Sequence, residues 1–68
     1  MKVKLKFLNI NRSDLELEIE GEKTFSDLLE SIGINPETVI ILKDKTPLPS
    51  EDKIVEGEYR VVRVISGG

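Results

Sequence analysis

Tyr59-Arg60-Val61-Val62-Arg63-Val64-Ile65-Ser66-Gly67-Gly68 is the stretch on which the fold turns. Tyr59, Val61 and Ile65 fall on one face of an extended chain, and Val62 and Val64 fall on the other. A strand that is apolar on both faces reads as central in a sheet. It then runs into Ser66, Gly67 and Gly68. A central strand ending this way delivers two bare glycines and a carboxylate to solvent. Glycine adopts extended conformations without a side chain to block a narrow channel, so a partner enzyme could take in such an end. The competing reading is an incidental chain end, since termini are often rich in small residues.

The opening of the chain supplies a strand to lie beside this one. Val3, Leu5 and Phe7 alternate with Lys2, Lys4 and Lys6, and Leu15, Leu17 and Ile19 alternate with Glu16, Glu18 and Glu20. Each run is a half-buried strand, and Asn9 to Ser13 provide turn residues between them. An antiparallel register is expected in which Phe7 meets Leu15, Leu5 meets Leu17 and Val3 meets Ile19. On the other face Lys6 meets Glu16, Lys4 meets Glu18 and Lys2 meets Glu20. A one-residue slip would set every apolar side chain against a charge. The Lys/Glu ladder reads as a solvated face, not as a site.

Between these ends lies one helix. Thr24 is placed to cap it, with Asp27 near its positive end. Phe25, Leu28, Leu29 and Ile32 recur at helical spacing, Gly33 suits the position just past the end, and Asn35-Pro36 stops any continuation. Thr38 to Lys43 is a third strand, with Asp44-Lys45 turning the chain. Thr46-Pro47-Leu48-Pro49 allows only a short edge strand, because proline donates nothing to a ladder. Ser50 to Glu56 is a polar connection with Ile54 and Val55 tucked in, Glu56-Gly57-Glu58 is a turn, and the last strand runs from Tyr59 to Ile65. The order is that of an α+β roll: a mixed four- to five-stranded sheet with one helix across one face and the last strand beside the first.

Composition narrows the function. Sixty-eight residues make a single small domain. The chain has no Cys and no His. A thiolate nucleophile, a disulfide and the usual neutral-pH acid/base are therefore excluded. An autonomous enzyme and a metal centre are not expected. With a net charge of -3 and interleaved signs, no basic stripe marks a nucleic-acid surface. The longest apolar run is four residues, Val39 to Leu42, far short of a membrane span. Met1 leads directly into a strand pattern, so no signal peptide is expected, and a cytoplasmic monomer is the default. Abundant Lys and Glu without Gln lean towards a thermophilic source.

Taken in order, three segments carry a resemblance that covers essentially the whole chain. They are Thr24-Phe25-Ser26-Asp27-Leu28-Leu29, Val39 through Pro49, and Val55-Glu56-Gly57-Glu58 running on to Ser66-Gly67-Gly68. The chain resembles the β-grasp, ubiquitin-like family. It is most similar to small archaeal modifier proteins and ubiquitin-related modifiers, and next to the prokaryotic sulfur carriers of molybdopterin and thiamine synthesis. It departs from the family at Asp44-Lys45, where Asp-Gly or Asn-Gly is frequent, which puts the turn type in question.

The resemblance implies a β-grasp domain over residues 1–65 and a flexible Ser-Gly-Gly tail over 66–68. It implies that Gly68, preceded by Gly67, is the reacting end. An E1-like enzyme would adenylate the Gly68 carboxylate with ATP. A sulfur-transfer enzyme would then convert it to a thiocarboxylate for tRNA thiolation, molybdopterin or thiamine synthesis. Alternatively, Gly68 would be joined to substrate lysines as a protein modifier. A third reading is a non-covalent interaction module whose Gly-Gly is incidental. The chain itself would hold no cofactor, because the ATP chemistry belongs to the partner. The resemblance also implies that Val39, Ile41, Tyr59 and Val61 face the helix. Ile40, Leu42, Val62 and Val64, with Arg60 nearby, are left on the open sheet face as a partner-docking patch.

Overall fold

The computed structural model describes residues 1–64; the expected Ser-Gly-Gly tail, and Ile65 before it, lie outside the described residues. Among the described residues five strands form one sheet: β1 (Lys2–Leu8), β2 (Leu15–Glu18), β3 (Val39–Lys43), β4 (Thr46–Leu48) and β5 (Gly57–Arg63). A helix, α1 (Phe25–Ser31), and a 3-10 turn (Pro36–Thr38) link β2 to β3. The sheet order is β2-β1-β5-β3-β4, with β1 and β5 parallel and the other neighbours antiparallel. The last strand is therefore central and beside the first, as its two-sided apolar pattern predicts.

The alternation of each strand sorts the side chains. Val3, Leu5, Phe7, Val39, Ile41, Tyr59 and Val61 are buried, together with Phe25, Leu28 and Leu29 of α1. All belong to one core cluster, joined by Ile19, Ile34 and Ile54. The Phe25 and Tyr59 rings meet edge-to-face at 4.8 Å and 73°, a geometry that aromatic quadrupoles favour. Tyr59 remains polar at its tip, and its hydroxyl donates to the Val55 carbonyl at 2.7 Å.

Both ends of the helix are fixed by local chemistry. The Thr24 hydroxyl accepts from the Asp27 amide at 3.1 Å, and the Asp27 carboxylate accepts from the Thr24 amide at 3.2 Å. This reciprocal capping box satisfies two otherwise orphaned donors. At the other end Gly33 takes φ +83°. The Ile34 amide then reaches the Leu29 carbonyl at 2.8 Å and the Gly33 amide reaches Glu30 at 3.1 Å, the 6→1 and 5→2 bonds of a Schellman stop. The Arg12 guanidinium, from the β1–β2 loop, donates to the carbonyl of Ile32.

The structure corrects four expectations. First, the β1–β2 register is displaced by two residues: Leu5 faces Leu15, Val3 faces Leu17, Lys4 faces Glu16 and Lys2 faces Glu18. An even displacement keeps every side chain on its own face, so alternation fixes the parity of a register and not its value. The six-residue connection Asn9 to Asp14, with Asn9 at φ +58°, places Phe7 and Leu8 beyond the end of β2. Lys6, having no residue of β2 opposite, sits instead 3.6 Å from Glu58 of β5.

Second, Val55 is 66% exposed while Ile54 is buried. Only one of two consecutive residues can point inward here. The Ile54 amide is tied to the Lys23 carbonyl at 2.8 Å. Third, Gly57 and Glu58 belong to β5 and not to a turn, and Val64 lies past the strand's end. Parallel pairing of Val3 with Gly57 and of Lys4 with Glu58 starts the strand early. Fourth, β3 begins at Val39, because Thr38 closes the 3-10 turn.

The Asp44-Lys45 turn is resolved as well. Both residues have positive φ, +50° and +70°, and they join Lys43 to its partner Thr46. This is the two-residue type I′ hairpin geometry, formed here without glycine.

Candidate functional site

The sheet face opposite the helix carries the even-numbered residues of β1, β3 and β5. Their register across the three central strands decides which of them meet. Val62 of β5 has Leu8 of β1 opposite it on one side and Ile40 of β3 on the other. Adjacent strands lie about 4.8 Å apart, so these three side chains form one apolar row. Ile40 is 39% exposed, Leu8 44%, and Val62 is half-buried between them. Val64 follows at the end of β5, exposed, with its amide bonded to the Thr38 carbonyl at 3.1 Å.

The next row towards the β3–β4 hairpin is Lys6, Arg60, Leu42 and Pro47, each the register partner of the next. Beyond it Glu58 lies opposite Lys4, which lies opposite Glu16. The open face thus grades from apolar, through basic and apolar mixed, to alternating charge. An open cavity of about 400 Å³ lies beside Leu42 and Arg60, where Lys43, Asp44, Lys45 and Glu58 also line it.

The structure therefore brings Ile40, Leu42, Arg60 and Val62 onto one contiguous surface, with Val64 at its margin. Leu8 completes the row and was not foreseen. Its signal was present: it shares the parity of Lys2, Lys4 and Lys6, so continuing the alternation one step beyond Phe7 puts it on the open face. Gly67 and Gly68 lie outside the described residues. Val62 precedes Gly68 by six residues in sequence. Among the described residues, no group of three or more acidic side chains is arranged to hold a metal ion. None of their helices is long and apolar enough to cross a membrane.

A five-stranded mixed sheet with one helix packed on one face and a bare apolar row on the other defines a β-grasp protein of the ubiquitin-like class. A solved structure titled Caldiarchaeum subterraneum ubiquitin shares this fold, with a TM-score of 0.71 over 100% of this chain and 98% of that one, at 19% identity. Within that class, the profile of the family described as Small archaeal modifier protein 2 matches residues 1–65, and the chain belongs to that family. An uncharacterized protein of Archaeoglobus fulgidus is 50% identical over 68 residues, the full length of both chains. The sulfur carrier protein TtuB of Thermus thermophilus is 37% identical over 54 residues, covering 78% of this chain and 83% of its own. Small archaeal modifier protein 2 of Haloferax volcanii is 28% identical over 53 residues, covering 78% and 80%.

Proposed function

We propose that this protein is a sulfur carrier whose Gly68 carboxylate is activated by an E1-like adenylating enzyme and converted to a thiocarboxylate. The similarity to a named sulfur carrier, 37% over 54 residues, carries the choice of this reading. A carboxylate is a poor electrophile because its charge repels nucleophiles. Attack of Gly68 on the α-phosphorus of ATP would release pyrophosphate and leave an acyl-adenylate. A persulfide of the sulfur-transfer enzyme would then displace AMP. A second thiol would cleave the resulting acyl disulfide, leaving sulfur on Gly68.

On this reading the chain is a protein co-substrate and not a catalyst, which fits its lack of Cys and His. ATP would be held by the partner, in the cytoplasm, and this chain would carry no cofactor of its own. The Leu8–Val62–Ile40 row, with Leu42 and Arg60, would dock on the activating enzyme. An exposed apolar patch rimmed by charge suits that role.

Intact mass spectrometry of the protein co-expressed with its activating and sulfur-transfer enzymes tests the proposal. The expected product is heavier by one sulfur in place of one oxygen, with the change located at Gly68. Unmodified protein under conditions where ATP is consumed would overturn it.

The family match over residues 1–65 favours a second reading, in which Gly68 is joined to substrate lysines. High-mass conjugates that disappear on deletion of Gly68 would support it. The two outcomes share the adenylate and are compatible in one protein.

A further inference from the structure

A second surface lies at the β2 edge of the sheet, two strands away from β5 and its Val62 row. Among the described residues β2 is the outermost strand and pairs only with β1. The Met1 carbonyl accepts from the Ile19 amide at 2.8 Å, and the Met1 nitrogen donates to the Ile19 carbonyl at 3.1 Å. Antiparallel ladders alternate. Leu15, Leu17 and Ile19 therefore turn their backbone groups towards β1, and Glu16 and Glu18 turn theirs outward. Beside this edge an open groove of about 610 Å³ runs between β2 and α1. Leu17, Ile19, Leu28 and Ile32 line it, with Ser31 on the helix side and Lys23 at the rim. Ile19 and Leu28 form its buried floor; Leu17 and Ile32 are only half covered.

We propose that the β2 edge and this groove bind an extended peptide in which apolar residues alternate with Lys or Arg. The peptide would add as a sixth strand, pairing its backbone with the outward groups of Glu16 and Glu18. Strand geometry then fixes its side chains. One alternate set enters the groove over Leu17 and Ile32, and the other lies on the open face beside the carboxylates of Glu16 and Glu18. Cross-strand pairs of opposite charge stabilise such an arrangement, whereas like charges oppose it.

The chain already contains one strand of this pattern. β1 reads Lys-Val-Lys-Leu-Lys-Phe and lies against the inner edge of β2 with Lys4 opposite Glu16 and Lys2 opposite Glu18. The outer edge offers a second strand the Glu16 carboxylate and that of Glu18, which also faces the Met1 ammonium at 3.4 Å. Charge also decides against a second copy of β2 as the occupant, since antiparallel self-pairing would bring the Glu16 and Glu18 side chains of two molecules together.

The test is a titration of the isotope-labelled full-length protein with the peptide Lys-Val-Lys-Leu-Lys-Phe, followed by amide shifts. A second titration uses the same peptide with Glu in place of each Lys. The expected result is saturable shifts over Glu16 to Glu20, Leu28 and Ile32 with the basic peptide only, weakening as salt is raised. Replacing Glu16→Lys and Glu18→Lys together should weaken the basic peptide about fivefold or more and recruit the acidic one. Ser31→Arg, an exposed helix position, should block the groove without touching the sheet. Deleting Gly68 should leave peptide binding unchanged, which separates this surface from the tail chemistry.

No shifts at millimolar peptide, shifts centred on Val62, or equal response to both peptides would each overturn the proposal. So would concentration-dependent shifts at Glu16 and Glu18 in protein alone, which would assign the edge to self-association.

Discussion

Ile40 and Val62 lie directly opposite one another across the β3–β5 ladder, on the sheet face that α1 leaves bare. Leu8 continues the row from the other side of Val62. Their contact with solvent costs the fold little, because the core is built from the opposite parity: Val39, Ile41, Tyr59 and Val61. The buried core and the exposed apolar row thereby occupy opposite faces of the same three strands.

That separation predicts how Val62→Glu and Leu42→Glu behave. Both positions are half-buried on the open face, so each variant should stay folded, with a shift in unfolding free energy of about 1 kcal/mol or less. Adenylation of Gly68 should fall steeply in each. Thermal unfolding beside pyrophosphate release checks both halves. Normal activation of either variant would remove this face from the docking surface.

The hairpin turn predicts a gain. Lys45 holds φ +70° in the type I′ turn, a conformation that costs a non-glycine residue about 1–2 kcal/mol. Lys45→Gly relieves that cost and loses roughly 0.5–1 kcal/mol to the greater freedom of the unfolded chain. The net expectation is a stabilisation of about 0.5 kcal/mol, read from the urea midpoint at an unchanged slope. A lower midpoint would contradict the strain assigned to the turn.

Tyr59 couples the central strand to the connection before it. Its ring is buried against Phe25 while its hydroxyl holds the Val55 carbonyl at 2.7 Å. Tyr59→Phe keeps the packing and deletes the bond, so a loss of about 1 kcal/mol is expected. Amide exchange should accelerate most between Ile54 and Gly57. Exchange that rises uniformly across the sheet would place the effect in the core instead.

The helix cap gives a fourth test. Thr24→Ala removes the hydroxyl that accepts from the Asp27 amide and should cost about 1 kcal/mol. A helix of seven residues has little independent stability. The loss should therefore appear in global unfolding and not as local fraying. Two separate transitions, by circular dichroism and by Tyr59 fluorescence, would count against that coupling.

Much of this was legible in the residues. Thr24, Asp27 and Gly33 mark the helix by local rules of capping and positive φ. Pro47 confines β4 to an edge. The apolar parity of Tyr59, Val61, Val62 and Val64 makes the last strand central. The β1–β2 register was not legible, because a displacement of two leaves both alternations intact. Val55 against Ile54 was not legible either, since both are apolar and only the Ile54–Lys23 backbone bond selects which one turns inward.

Local sequence, then, determined the elements, their faces and the family resemblance, because capping, turn chemistry and alternation act between residues near in the chain. Only the tertiary structure decided that Leu8, Ile40 and Val62 share one row and that Glu16 and Glu18 sit on the strand at the end of the sheet order. Those relationships join residues distant in sequence. They are set by which strands pair and at which register, through backbone hydrogen bonds and the packing of one common core.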